Sequence, residues 1–396
     1  MILALLTIVL AACVVALVYF KWSRVKSYWA ERNVPHAPPS FFFGSLTFLM
    51  KQNPGTWFRT LNDQFRSPYI GIWLFWKPCL VVNSPDIAKN VLVRDFGNFR
   101  DRYVSSGETD PLGGLSLFTL NVSDPHWTSI RRRLTSVFTA AKLRCLEDYI
   151  CLKCKQLVQR IANDGHEIKD LKVREFNATL TGKGPLRDVT TEFSKFSIFR
   201  GLSWCSIFFL PKLVDLFRFK FYSKKSEAYF RKVFHSITAQ REAATDGRTY
   251  QDLVELLLKI QTESKLNGEG YTDDFIIAQA AIFLLGGYES VGTIMMFASC
   301  ELAYHPDKQA KLYQELLEAK KHNGSDVFEA QTLSELHYLD SVLKETLRKY
   351  STMGWLDRVA ATDYQIDDNL TIEAGTVVYI NGMGIQYDPK YFPEPK

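Results

Sequence analysis

Apolar residues fill the first twenty positions, MILALLTIVLAACVVALVYF, without a single charge. At a rise of about 1.5 Å per residue such a helix just crosses a hydrocarbon core of about 30 Å, which predicts a transmembrane anchor. A secretory signal peptide fits less well, because no basic stretch precedes the apolar run and no small-x-small site ends it. Lys21, Arg24, Lys26 and Arg32 follow at once, and the positive-inside rule places them, with everything after them, on the cytoplasmic side. VPHAPPSFFFG then brings Pro35, Pro38 and Pro39 close together and predicts a stiff, extended connector that sets the body's distance and tilt from the membrane. The chain therefore divides into an N-terminal transmembrane anchor over 1–20, a basic and Pro-rich linker over 21–44, and a body over 45–396.

Within the body, PYIGIWLFWKPCLVVN carries two runs dense in branched and aromatic residues, broken at Lys77-Pro78, and predicts a β-hairpin. From SPDIAKNVLV to about residue 350 helical spacing dominates: WTSIRRRLTSVFT, AYFRKVFHSITAQREA, TYQDLVELLLKIQ, DDFIIAQAAIFLLGGYES and HYLDSVLKETLRKY. DYQIDDNLTIEAGTVVYIN alternates turn residues with short branched runs and predicts a second small β unit. The expected fold class is mainly α with small β units.

Composition adds exclusions. A chain that is 46% hydrophobic is not a disordered polymer, and 48 basic against 43 acidic residues, spread along the chain apart from Arg131, Arg132 and Arg133, do not describe a nucleic-acid binder. The seven cysteines, Cys13, Cys79, Cys145, Cys151, Cys154, Cys205 and Cys300, are odd in number and scattered, which fits a reducing compartment rather than a disulfide framework. Asn121, Asn177, Asn323 and Asn369 match the glycosylation pattern and are expected to stay unmodified in a cytoplasmic body. Cys151-Leu-Lys-Cys154 is half a zinc site with no second half, and core thiols on a helix are the plainer reading. HExxH, GxSxG, Walker and GxGxxG patterns are absent, so hydrolase and nucleotide-binding functions have no support.

The segment LLGGYESVGT is the anomaly of the helical region. Phe283, Gly286, Gly287 and Ser290 share one helix face, with Glu289 and Thr293 on an adjoining line. Each glycine costs about 1 kcal/mol against alanine in a helix interior, and a buried carboxylate needs a partner or a task. Two readings stay open on these residues alone: close packing of two helices through the glycines with Glu289 at the surface, or a flat object resting on them. Glu345 and Arg348, three apart in KETLRKY, form by themselves an ordinary ion pair.

Taken in order, Trp127 and Arg131 in HWTSIRRRL, then GGYES, ETLR, Arg358 in WLDRVA, and YDPKYFPEP behind an apolar leader resemble the cytochrome P-450 family of haem-thiolate monooxygenases. GLSLFTLN and PKLVDLFRFKFYSK look like its insect microsomal branch. The resemblance covers nearly the whole chain.

It implies that Trp127, Arg131 and Arg358 hold the haem propionates, that Gly286 and Gly287 let oxygen and substrate approach the iron, and that Glu289 and Ser290 deliver protons. Glu345 and Arg348 then take a structural role beside the haem. Gly286 stands where the family has alanine and Ser290 where it has threonine. Departures include KVREFNATLTGKGPLRDVTTEF, which is unusually polar, and Gln386-Tyr387 in place of His-Arg.

The family's iron ligand is a cysteine in a glycine-rich loop beyond the region where this sequence stops. None of the seven cysteines has that loop's Phe, Gly and Arg neighbours. The expected fold is accordingly a cytochrome P-450 fold lacking its C-terminal haem-binding part. Two functions follow: a microsomal monooxygenase of the endoplasmic reticulum, body on the cytoplasmic side, oxidising lipophilic xenobiotics or endogenous lipids with electrons from an NADPH-dependent flavoprotein reductase, this sequence being an incomplete copy; or a haem-free, non-catalytic membrane-tethered protein. Residues 100–120 and 195–225 are expected to set specificity.

Overall fold

The computed structural model describes residues 2–163, 197–243, 252–324 and 328–395. The polar stretch 172–193, with Asn177, lies outside them. The longer helices in chain order are α1 (Ile2–Ser27), α2 (Pro54–Phe65), α3 (Pro125–Thr135), α4 (Glu147–Asn163), α5 (Ile198–Phe209), α6 (Lys224–Ala243), α7 (Leu253–Asn267), α8 (Asp273–Tyr304), α9 (Pro306–Asn323) and α10 (His337–Lys349). The strands are β1 (Tyr69–Leu74), β2 (Lys77–Val82), β3 (Leu356–Val359), β4 (Tyr364–Asp367), β5 (Leu370–Ile372) and β6 (Val377–Ile380). The chain folds as two compact units, one made of residues 1–104 with 353–396 and one of residues 105–352.

The first unit holds the sheets. β1 and β2 form the predicted antiparallel hairpin, but the chain turns at Phe75 and Trp76, with Phe75 at φ +53, and Lys77-Pro78 begin β2 instead of breaking it. Pro78 is tolerated because β6 pairs with β2 only from Cys79 onward, so no ladder donor is lost on that side. β6 runs parallel to β2 and takes β3 on its other edge. The expected second β unit is therefore divided: β4 and β5 pair as a separate ribbon, while β6 joins the first sheet. Trp29, Trp73, Leu80, Val82, Phe99, Ile372 and Val378 belong to the packed core between these elements.

α1 has no buried residue and runs on through the basic positions to Ser27. The Pro-rich segment after it does not stand free as a spacer. Trp29 is fully buried, its indole N–H donating to the Ile72 carbonyl at 3.1 Å. The Gly71 N–H donates to the Pro35 carbonyl at 2.8 Å, and His36 bridges Gly71 in parallel register. Three closely spaced prolines keep the segment extended, and an extended segment is suited to line a strand.

The second unit is helical. Thr272 caps α8 by accepting the Phe275 N–H, and Asp273 and Asp274 sit in its first turn, where the helix dipole favours them. α7 is capped by Asp252 and stops at Gly268 in the left-handed region, whereas α5 is capped by Ser197. α8 packs against α6, α7, α9 and α10 and is the spine of the unit.

Candidate functional site

The glycine pair lies midway along α8, which runs without a break from Asp273 to Tyr304. A Cβ added at Gly286 or Gly287 would meet nothing within 4 Å, so neither glycine is there to let a second described helix approach. That removes the packing explanation and leaves an open strip on an otherwise well-held helix. Glu289 is half-buried beside it. Ser290 Oγ donates to the Gly286 carbonyl at 2.5 Å, one turn back, so the hydroxyl lies along the glycine strip and keeps its lone pairs available.

Both ends of α8 are anchored. Toward its C-terminus Phe297 stacks on Tyr350 at 3.9 Å between centroids, and Glu301 accepts from Lys349 Nζ at 2.8 Å and the Tyr350 hydroxyl at 2.5 Å. Burial works to raise the Glu301 carboxyl, but these hydrogen bonds outweigh it and hold the group below the ordinary carboxylate range. On α10, Glu345 grips Arg348 through two bonds of 2.8 and 2.7 Å. The arginine side chain is 9% exposed and the glutamate 57%, so the buried charge is the cation. The Arg348 hydrogen bond is the main cause that lowers the Glu345 carboxyl.

Toward the N-terminus of α8 the fully buried Gln279 accepts the Leu117 N–H at 2.9 Å and donates to the Leu115 and Phe275 carbonyls at 2.7 and 2.9 Å. Trp127 on α3 donates its indole N–H to the Leu117 carbonyl at 3.3 Å. Arg131, one turn along, is exposed with its guanidinium 5.9 Å from the Trp127 ring. Its neighbour Arg133 is engaged by Glu269 at 2.8 Å and Glu263 at 3.6 Å. The triple-arginine run is thus not one basic face. Asp110 is fully buried and ties the same region together, accepting from Ser106 Oγ at 2.7 Å and the Phe221 N–H at 2.6 Å. Burial raises its carboxyl above the ordinary range.

Arg358 belongs to the first unit, on β3. Its Nη1 donates to the Asp357 carbonyl at 2.7 Å, while its buried Nε has no hydrogen-bond partner. Burial, followed by the nearby Arg102 charge, lowers its pKa. A desolvated guanidinium beside a second one is an arrangement that an anionic group would relieve. Asp357 is occupied elsewhere, accepting the Tyr103 and Val104 N–H groups at 2.5 and 3.0 Å.

Comparison with known proteins decides what these features belong to. The family model described as Cytochrome P450 matches residues 34–181 and 186–396. The chain belongs to the cytochrome P450 family. It is 29% identical to cytochrome P450 6k1 of Blattella germanica over 98% of its own length and 80% of that protein's. It is 32% identical to cytochrome P450 6j1 of the same insect over 95% and 78% of the two lengths. Against a probable cytochrome P450 6g2 of Drosophila melanogaster the identity is 28%, over 99% and 82%.

As a P450 the chain carries the family's haem expectation, and each unit offers residues toward it. In the second unit, the open strip over Gly286 and Gly287 suits a flat ring. In the first, Arg358 with its unused buried Nε suits a propionate. Trp127 is the weaker fit, since the Leu117 carbonyl takes its only donor.

Two of the cysteines are held as thiols. Burial pushes Cys79 up to about 12 and raises Cys205 as well. Cys154 is exposed and Cys151 half-buried, so the core-thiol reading fails for Cys154. Among the described residues no cluster of three or more His, Cys, Asp or Glu side chains is placed to hold a metal ion.

Sequence reasoning missed Gln279, Asp110 and Arg102. Gln279 did leave a signal, a lone amide in the apolar run FIIAQAAIF, two turns before Gly286 on the same face. Arg102 and Asp110 left none, because their roles depend on burial by distant segments.

Proposed function

We propose that this P450 is a haem-dependent monooxygenase that oxidises lipophilic xenobiotics or endogenous lipids, tethered by α1 to the endoplasmic reticulum membrane with its body in the cytoplasm. Electrons come from an NADPH-dependent flavoprotein reductase. The observation that carries the reading is the glycine strip of α8: two exposed helical glycines with open space above them and a carboxylate and a hydroxyl within one turn. Haem, when bound, supplies the activation of dioxygen for insertion of one oxygen atom into substrate.

The protein's own groups do the rest. In the first unit Arg358, with its unused buried Nε, would hold a propionate. In the second unit the exposed Arg131 is the group suited to that task, and Trp127 would take part only on releasing the Leu117 carbonyl. Gly286 and Gly287 leave room at the reacting face. The second oxygen atom leaves as water, so protons must reach the site. Ser290 Oγ can accept one from the direction of Glu289 and pass on its own once its bond to the Gly286 carbonyl opens. Gln279 keeps the Leu115 to Leu117 backbone against α8 and is a positioning residue. Glu345 and Arg348 brace α10. The family's iron ligand is a cysteine thiolate, and none of the seven cysteines here has that ligand's Phe and Gly surroundings.

The test is turnover with isotopically heavy dioxygen, reductase and NADPH in membranes. One labelled oxygen atom in the oxidised product supports the reading. NADPH consumption that never depends on a lipophilic substrate, with no labelled product, opposes it.

A further inference from the structure

Of the seven cysteines, Cys151 and Cys154 alone share one helix. They stand three apart on α4, and side chains at that spacing lie one above the other on the helix surface. Cys154 is exposed and Cys151 half-buried. We propose that Cys151 and Cys154 form a dithiol modification site, oxidised by hydrogen peroxide to a reversible disulfide within α4.

Access separates this pair from the other thiols. Cys79 is fully buried, and burial works against the thiolate at both Cys79 and Cys205. Cys13 lies in α1, the apolar anchor, and Cys300 is half-buried on α8. Cys145 is exposed as well, but it ends the preceding short helix Ala140–Cys145, six positions before Cys151. Only Cys151 and Cys154 combine access to water with a second thiol one helical turn away.

Backbone geometry permits the bond and sets its character. Helical Cα atoms three apart lie about 5 Å from each other, inside the range of about 4.4–6.8 Å that a disulfide spans. Their Cβ atoms start about 5–6 Å apart and must close to about 3.5–4.5 Å. The bond therefore forms only with a local distortion of the helix, which leaves it strained and readily reduced. That distortion disturbs little packing, because no described side chain of α4 is buried.

The exposed Cys154 reacts first. Its thiolate sulfur attacks one peroxide oxygen, the O–O bond breaks, and the other oxygen leaves as hydroxide and is protonated to water. Cys154 is then a sulfenic acid. Cys151 Sγ attacks that sulfur, the S–S bond forms, the S–O bond breaks, and the departing hydroxide takes the Cys151 proton as water. Two thiols and one peroxide give one disulfide and two waters. Haem is not needed, since peroxide reaches an exposed thiol from any source.

The experiment uses the full chain in membranes without NADPH or reductase, so its outcome is separate from the monooxygenase reading. After hydrogen peroxide treatment, free thiols are alkylated with a light reagent, disulfides are reduced, and the released thiols take a heavy one. Cleavage after Glu147 and Glu167 keeps both cysteines in one peptide and Cys145 in another. Heavy label on Cys151 and Cys154, with Cys79 and Cys205 light, is the expected result, and dithiothreitol added after the peroxide should restore light label. Amide exchange should quicken across residues 150–155 on oxidation and stay unchanged across 273–304. Cys151→Ser should stop at the sulfenic acid, trapped by dimedone on Cys154. Light label at either cysteine of the wild type overturns the proposal. So does a bridge from Cys145 to one of them, a covalent dimer on a non-reducing gel, or oxidation of Cys154 that dithiothreitol does not reverse.

Discussion

Gln279 and Trp127 hold the backbone of Leu117 from two sides: Gln279 Oε1 accepts the Leu117 N–H at 2.9 Å, and the Leu117 carbonyl accepts the Trp127 indole N–H at 3.3 Å. One residue thereby joins the N-terminal part of α8 to α3, through a loop whose regular structure is the single helical turn Pro111–Gly114. Gln279→Leu keeps the volume and removes all three bonds, leaving a backbone donor and a carbonyl without their partner. Each buried unsatisfied group costs on the order of 1–3 kcal/mol. Denaturant unfolding should show a loss of about 2–4 kcal/mol, and a change below half a kcal/mol on that scale would show that the loop is held by other means.

Ser290 should matter to coupling and not to folding. Among the described residues its hydroxyl bonds only to its own helix, to the Gly286 carbonyl, so Ser290→Ala leaves stability nearly unchanged while peroxide released per NADPH rises. Ser290→Thr adds the methyl that restrains the rotamer and should lower it. An unchanged peroxide ratio in the alanine variant removes Ser290 from proton delivery.

Gly71 is a packing requirement. A Cβ there would lie 2.3 Å from Trp29, whose ring is fully buried and hydrogen-bonded to Ile72 and cannot swing away. Gly71→Ala should destabilise the first unit by about 1–3 kcal/mol. Because Trp29 follows α1 after a single residue, Tyr28, the same variant should expose the Lys26 to Arg32 region to proteolysis. An intact cleavage pattern together with wild-type stability would contradict the packing.

Glu301 predicts an acid-sensitive joint. Its folded carboxyl lies below the ordinary value, so it contributes stability that is fully present above the unfolded carboxylate range, near pH 4.3, and is lost as pH falls through the lower folded value. Urea midpoints of wild type and Glu301→Gln should differ at pH 7 and converge only as pH falls past the ordinary carboxylate range, through the lowered folded value. A gap that stays constant over that window would mean that the Lys349 and Tyr350 bonds do not set the shift.

The sequence was most legible where periodicity and local chemistry agree. α8 and α10 emerged from helical apolar spacing, and the hairpin from branched runs, because these depend on neighbours in the chain. The parallel pairing of β6 with β2 was not legible, since nothing in VVYI distinguishes a strand that joins its neighbour from one that crosses to a partner almost 300 positions earlier. The Pro-rich segment was misread as a spacer for the same reason: its extended conformation was evident, but its docking depends on Gly71 and Trp29. At the site, the glycine pair was visible as an anomaly, yet only the empty space above it separated packing from binding. Arg131 and Arg133 looked alike in sequence and differ because Glu263 and Glu269 reach only the second.

The most direct test of the monooxygenase reading is the carbon monoxide difference spectrum of the reduced microsomal protein, expressed from its whole reading frame. A thiolate-type Soret band, weakened by Arg358→Ala, is the predicted result. A protein that folds, inserts in the membrane and shows no haem band would contradict it and make this P450 a haem-free tethered member of its family.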